Sequence, residues 1–405
     1  MTTCSNHSPS DSSMRQGPLP SQCVCPLGEC EQIASGTVAK TLAASSHQHS
    51  VGGGFNPAQV RLRHGAMIAL LLAALIVSML IAIGLGQLNI SPLRVAQILC
   101  NDLLGVFHLG GNADVSWSDG ERSAVSLVRA PRIVLSILVG GALAVSGAAL
   151  QALFRNPLVS PDVIGVSSAS AFGGVLMIML QLGSTAIVAG AFSSGLLAAV
   201  IVMGIGKIRT SSPILTIVLG GIVVSAFFNA LVSLVTYLAD PHTTLPSITF
   251  WLMGSFAAAT WEKVMMVALP VLLGSVTVIA LRWHINILSL GDDEAISLGV
   301  NPKRLRFVLI IAVSLLTSAT VAAAGIIGWV GLVVPHLIRL LVGHDNRIAI
   351  PAAFLLGGLY TLLIDTLART LSVVEIPVGI LTAMIGAPVF ITVLIRKARA
   401  GGAFA

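Results

Sequence analysis

Few residues of this chain have the types and spacing to do covalent chemistry. Cys4, Cys23, Cys25 and Cys30 lie near the amino terminus with His7, His47 and His49. Thiolates and imidazoles are common zinc ligands, but Cys-x-Cys-x4-Cys lacks the usual two-residue gap, so no metal site is expected. A phosphate-binding loop needs Gly-x-x-x-x-Gly-Lys followed by Ser or Thr. The nearest approach, Gly206-Lys207, runs into Ile208 and has Ile201 where the motif's first Gly should stand, so no nucleotide site is expected. His-Glu-x-x-His and Gly-x-Ser-x-Gly are both absent. What remains is charge. Asp292, Asp293 and Glu294 are consecutive acids, and Arg129, Arg132, Asp365 and Arg369 stand at the ends of apolar stretches. Such groups dock, steer and lock.

The elements that must position these charges are set by composition. The chain has 405 residues, 55% hydrophobic and 9% charged, with a mean hydropathy of +0.95. Soluble chains carry about a quarter charged residues. The apolar residues fall in blocks of about 20, the length of a spanning helix, and not in the ~10-residue alternating segments of a membrane barrel. The fold class is an all-α polytopic membrane protein. A net charge of +6 says nothing of nucleic acid here, because Lys and Arg in such a chain report which loops face the cytoplasm.

Residues 1–57 are rich in Ser, Gly, Pro, His and Cys, with no hydrophobic period and no apolar core of a signal peptide. They read as a disordered cytoplasmic tail, with Met14 as an alternative start. Spans are expected at 65–85, 133–153, 163–182, 185–204, 214–238, 264–280, 307–324, 326–342, 350–371 and 378–395. The eighth is interrupted by Pro335-His336, and a short C-terminal tail follows at 401–405. Residues 89–107, behind Ser91-Pro92, read as a surface helix, and 110–122 as polar loop. Residues 239–261 read as an interfacial belt carrying Trp251 and Trp261. Gly140, Ala144 and Ala148 form a small-residue stripe on one face of the second span, suited to close helix packing. Ten spans place both termini on one side. Fourteen Lys and Arg, from Arg61 to Arg399, fall in loops on the side of the termini, and six on the other, so the termini are cytoplasmic.

The motifs then become specific. Arg129-Ala-Pro-Arg132, Leu138-Val-Gly-Gly-Ala-Leu-Ala-Val-Ser-Gly147 and Arg155-Asn-Pro-Leu158 come first. Gly291-Asp-Asp-Glu-Ala-Ile-Ser-Leu-Gly-Val300, Gly328-Trp-Val-Gly-Leu-Val-Val-Pro-His336, Glu375-Ile-Pro-Val-Gly379 and Ile385-Gly-Ala-Pro388 follow. In this order they resemble the FecCD-type permease subunits of bacterial binding-protein-dependent ABC importers, over about residues 61–400. That family carries ferric siderophores, haem and cobalamin. The resemblance implies a cobalamin-importer-type fold of ten helices per subunit at 58–400, in the cytoplasmic (inner) membrane. It implies a homodimer with the pathway at the subunit interface, two copies of a separate cytoplasmic ATPase that bind ATP and Mg, and one substrate-binding protein outside. No cofactor is expected on this chain, and it is not an enzyme.

The resemblance also assigns roles. Residues 282–306 hold a short amphipathic helix whose acids Asp292, Asp293 and Glu294 sit at its positive dipole end. Ala295, Leu298 and Val300 are apolar and available to a partner, and together with Gly299 the stretch resembles the helix that couples to the ATPase. Arg129, Arg132 and Arg369 match positions that dock the binding protein. Asp365 and Arg369, one turn apart, could instead neutralise each other. Asn156, Leu158, Ser211 and Ser212 resemble a cytoplasmic gate, although Asn-Pro and Ser-Ser-Pro are turn signals in themselves. His336 reads as a packed histidine, or else a pH sensor or ligand. Met177, Met179, Met253, Met265 and Met266 share no face and read as packing. The cargo reading is a ferric siderophore, with haem or cobalamin as the alternative. An ion-coupled secondary transporter would place ionisable residues deep in several spans, and Asp365 is the main one here.

Overall fold

The computed structural model describes residues 57–86, 90–106, 117–206, 213–372 and 374–400, and among them there is no strand. The helices are α1 (Pro57–Gly84), α2 (Pro92–Val106) and α3 (Asp119–Leu153), then α4 (Val166–Met179), α5 (Ser184–Ile205), α6 (Pro213–Leu238) and α7 (Thr244–Leu252). After them come α8 (Trp261–Ala280), α9 (Arg282–Leu288), α10 (Asp292–Ser297), α11 (Pro302–Ala324), α12 (Val330–Val342), α13 (Asn346–Thr370) and α14 (Val378–Ala400). Each of the ten expected spans falls on one of these helices. Seven are long and apolar enough to cross a membrane, and α4, α12 and the apolar part of α14 are shorter.

Burial sorts the helices into a centre and a rim. The apolar window of α3 is 83% buried and that of α11 is 78%, against 22% in α1 and 28% in α6. Leu70, Leu80, Leu219 and Phe227 on the rim helices are exposed, as side chains facing lipid or a partner can be. The centre is held by close approach. A Cβ on Gly140 of α3 would overlap Gly357 O and Thr361 Oγ1 of α13, and one on Gly357 would run into Ala144. The bare backbones touch there, and Thr361 Oγ1 lies 2.8 Å from Ser136 O across the seam. Ala148, the third member of the stripe, turns towards α12, and its carbonyl accepts from Arg339 Nη2 at 3.3 Å.

Two expectations are corrected. The polar loop at 110–122 ends early, because Ser118 and Glu121 form a capping box that starts α3 at Asp119. A π-helical turn at Ala124–Arg129 then carries the helix into its apolar part. Pro335 does not interrupt α12, which runs from Val330 to Val342. The carbonyl four residues earlier, Gly331 O, has no proline N–H to receive and instead abuts the bare Cα of Gly147 on α3. Trp251 lies half-buried on α7, and its ring fills the space left by Gly174 of α4.

Helix α7 ends against non-helical backbone. Ser255 N donates to Ala324 O at 2.9 Å, and Gly379 N approaches Gly254 O at 3.4 Å. Three breaks, after α7, after α11 and before α14, therefore meet side by side. Trp329, between α11 and α12, holds φ +69°, a left-handed conformation that costs about 1–2 kcal/mol in a non-glycine residue.

The seam makes a stability prediction. Gly140→Val should cost about 1–3 kcal/mol through overpacking against backbone that cannot rotate away. Gly204→Ala, where nothing lies within 4 Å of the added Cβ, should leave the unfolding temperature in detergent unchanged or slightly raised.

Candidate functional site

Two charged clusters lie about 35 Å apart along the axis of α3, one where its apolar part begins at Arg132 and one just past its C-terminal end. At the first, Arg132 is buried and answers two carboxylates. Its Nη2 lies 2.8 Å from Asp365 Oδ1 on α13, and its Nη1 lies 2.8 Å from Glu375 Oε1 before α14. Asp365 is fully buried, whereas the Glu375 side chain is 35% exposed and forms the open edge of the cluster. Arg129 Nη1 donates to Ile83 O at 2.6 Å and approaches Gly84 O at 3.3 Å. Arg369 donates to Leu85 O at 2.8 Å and to Ala82 O. The last carbonyls of a helix have no partner of their own, and its C-terminus is the negative end of the dipole. Two guanidiniums from α3 and α13 thus satisfy the end of α1.

This placement corrects one expectation. Asp365 closes on Arg132 from another helix and not on Arg369 one turn away. Arg129 and Arg132 are each 6% exposed, because the α1 carbonyls and the two carboxylates draw them inward. Glu375 stood in a recognised motif but had no assigned role. Its partner is 243 residues away, beyond any local spacing rule.

At the second end, α10 is tied to both central helices through one carboxylate. Asp292 lies 2.8 Å from Arg155 Nη2 at the end of α3, and its Oδ2 accepts from Arg306 Nη1 of α11 at 2.8 Å. Arg306, hydrogen-bonded to it, holds the Asp292 carboxyl below the usual carboxylate range, and Arg155 adds to the effect. Asp293 and Glu294 are exposed. The helix is closed by Gly299 at φ +79°, with Gly299 N donating to Ile296 O at 2.9 Å and Val300 N to Ala295 O at 2.8 Å. That Schellman closure folds Val300 onto Ala295, and both are buried within the chain. Ala295 and Val300 are therefore not available to a partner, which corrects the expectation. Leu298 is 59% exposed and is joined by Ile296 and Leu290, which sequence reasoning passed over. The signal was there, since a Schellman motif buries the residue after its glycine.

The end of α3 repeats the device with a non-glycine residue. Arg155 has φ +50°, Arg155 N donates to Ala152 O at 3.3 Å and Asn156 N to Gln151 O at 3.1 Å. Asn156 Oδ1 then accepts from Leu158 N at 2.9 Å. Asn156 and Leu158 are exposed beside the Asp292 cluster, while Ser211 and Ser212 lie outside the described residues. Gln151 Nε2 donates to Leu332 O at 3.3 Å. His336 is buried edge-on to the Phe390 ring, 5.7 Å between centroids. Met179 and Met266 pack on core clusters and Met265 is exposed. No group of three His, Cys, Asp or Glu suited to a metal occurs among the described residues.

Two outcomes follow. Removing one partner of the buried pair, as in Asp365→Asn or Arg132→Met, should cost about 3–5 kcal/mol, and an apolar double replacement should recover most of it. Denaturation of the purified protein reads both. The depressed Asp292 carboxyl stabilises the α10 turn above the ordinary aspartate range. That contribution is lost as pH falls through its lowered value. Amide exchange at 292–300, corrected for its intrinsic pH dependence, should rise on acidification below about pH 4. In Asp292→Asn it should be raised at every pH.

Comparison with known proteins places this architecture. The family model described as the FecCD transport family matches residues 70–396. The molybdate import system permease of Haemophilus influenzae is 41% identical over 81% of this chain and 94% of its own length. A probable iron chelatin transport system permease of Helicobacter pylori is 36% identical over 68% of this chain and 85% of its own. A solved chain described as a metal-chelate type ABC transporter in an inward-facing conformation superposes with a TM-score of 0.72. It is 37% identical and is matched over 99% of its length and 82% of this one. With its apolar helices and no nucleotide loop, this multi-pass membrane chain belongs to the FecCD family of ABC importer permeases, whose ATPase is a separate subunit.

Proposed function

We propose that this chain carries a ferric siderophore across the cytoplasmic membrane by alternating access at a homodimer interface, with both termini cytoplasmic. The observation that carries the cargo reading is the match over nearly the whole length of a metal-chelate type transporter. Haem and cobalamin remain alternatives within the resemblance. A second reading, molybdate, is favoured by the 41% identity across 94% of a molybdate permease. In this proposal a binding protein delivers cargo to the Arg132 end, where Glu375 and the partly exposed Arg369 form the accessible edge. Two ATPase subunits, which hold the ATP and Mg, grip α10 at the other end.

The mechanism follows from the ties around Asp292. Leu290, Ile296 and Leu298 offer an exposed apolar surface to the ATPase. When the ATPases close, α10 moves, and Asp292 transmits that movement to α3 through Arg155 and to α11 through Arg306. Those are the two most buried spans, so the centre of the bundle tilts. Asn156 and Leu158, next to Arg155, move with the end of α3 and serve as the described part of the cytoplasmic gate.

Two measurements test this. A strain lacking the gene and other importers of these cargoes is assayed for uptake of labelled ferric siderophore, molybdate, haem and cobalamin. Loss and rescue of a siderophore is expected. Loss and rescue of molybdate alone replaces the first reading with the second, and no loss for any cargo rejects both. Leu298→Asp should weaken ATPase association about tenfold, the effect of removing a ~1.4 kcal/mol contact, without lowering the unfolding temperature of the isolated permease. Unchanged association would remove α10 from the interface.

A further inference from the structure

The side of the bundle between α5 and α8, floored by α11, carries two cavities that meet. The first has a volume of about 570 Å³ and is lined by Gln181, Ser184, Ser255 and Lys263 among others. The second, about 400 Å³, is lined by Phe192, Met266, Leu269, Pro270, Leu273 and Leu315. Val188 and Ala322 line both. The order along three helices agrees. Lys263 precedes Leu273 on α8, Ser184 precedes Phe192 on α5, and Ala324 follows Leu315 on α11. Each step of eight to ten residues spans about 12–15 Å. The polar cavity is thus at the helix ends and the apolar one is about half a hydrocarbon core deeper.

Lys263 is the only cation lining the polar cavity. Its ammonium has neither a carboxylate partner nor a hydrogen bond among the described residues. Gln181, Ser184 and Ser255 add an amide and two hydroxyls with no acceptor assigned, whereas Thr243 already gives its hydroxyl to Asp240 at 2.8 Å. An unpaired ammonium beside neutral donors suits the oxygens of a phosphodiester. The trough below is apolar, and Met265, Leu269 and Leu273 of the same helix are 69%, 64% and 55% exposed. Its mouth therefore opens among side chains suited to lipid, and not onto a polar surface.

We propose that this cleft is a binding site for an anionic phospholipid, with the phosphate at Lys263 and one acyl chain in the trough between α5 and α8. A bound lipid wedges two rim helices onto α11. Their spacing, and hence the ease with which α11 tilts, then depends on the lipids around the protein.

The test uses the full-length protein in nanodiscs of phosphatidylcholine with or without phosphatidylglycerol. Lipid retained after extraction is measured by mass spectrometry, and thermal unfolding is followed in parallel. Wild type should retain phosphatidylglycerol over phosphatidylcholine and unfold at higher temperature with it. Lys263→Gln should lower that preference about fivefold, the worth of one basic residue at an anionic surface, and Lys263→Arg should keep it. Ala189→Phe, which fills the trough from its exposed side, should reduce retention of both lipids and leaves the ammonium untouched. Equal preference in wild type and Lys263→Gln overturns the proposal. So does unchanged retention in Ala189→Phe, or equal stabilisation by inorganic phosphate or by an anionic cargo without lipid.

Discussion

Where α3 crosses α13, backbone meets backbone at Gly140 and Gly357, and no side chain could be inserted without parting the helices. In a bilayer the helices gain nothing by hiding apolar surface from lipid, so association rests on dispersion and interhelical hydrogen bonds. Close approach maximises the first, and Thr361, reaching Ser136 O, supplies the second. The same logic repeats at Gly147, where the carbonyl released by Pro335 settles on a bare Cα. Once α3 is held in this way, the positions of Arg132 at the start of its apolar part and Arg155 just past its end are fixed as well.

Charges buried in a membrane protein are expensive, and Arg129, Arg132, Asp365 and Arg369 each have a partner. Arg129 and Arg369 answer the terminal carbonyls of α1, and Arg132 answers Asp365 and Glu375. This arrangement gives the basic residues at this end a structural role. They lock three spans together, and they leave Glu375 and part of Arg369 at the open edge of the cluster.

Hydropathy alone located the ten spans, and the stripe at Gly140, Ala144 and Ala148 pointed to close packing on α3. The start of α3 was also legible, since Ser118-x-x-Glu121 is a capping box, yet a polar composition hid it. Leu298-Gly299-Val300 likewise announced which apolar residues of α10 would turn inward. Asp365 was different in kind. Local spacing offers Arg369, and the fold instead brings Arg132 from 233 residues away, because pairing across helices satisfies both buried groups. No single-sequence rule reaches across that distance. The pairing of α1 carbonyls with two arginines was hidden for the same reason, although the need for donors at that helix end was not.

One carboxylate joins the surface helix α10 to the two most buried spans, and this joint is the account's central claim. It is tested most directly by reconstituting the permease with its ATPase in proteoliposomes and measuring ATP hydrolysed and cargo moved together. Asp292→Asn loosens α10 but keeps its Schellman closure, and it removes the charge that binds Arg155 and Arg306. The account predicts that hydrolysis continues while cargo moved per ATP falls several-fold. An unchanged ratio of cargo to ATP would contradict it, and would place the transmission of force elsewhere in the bundle.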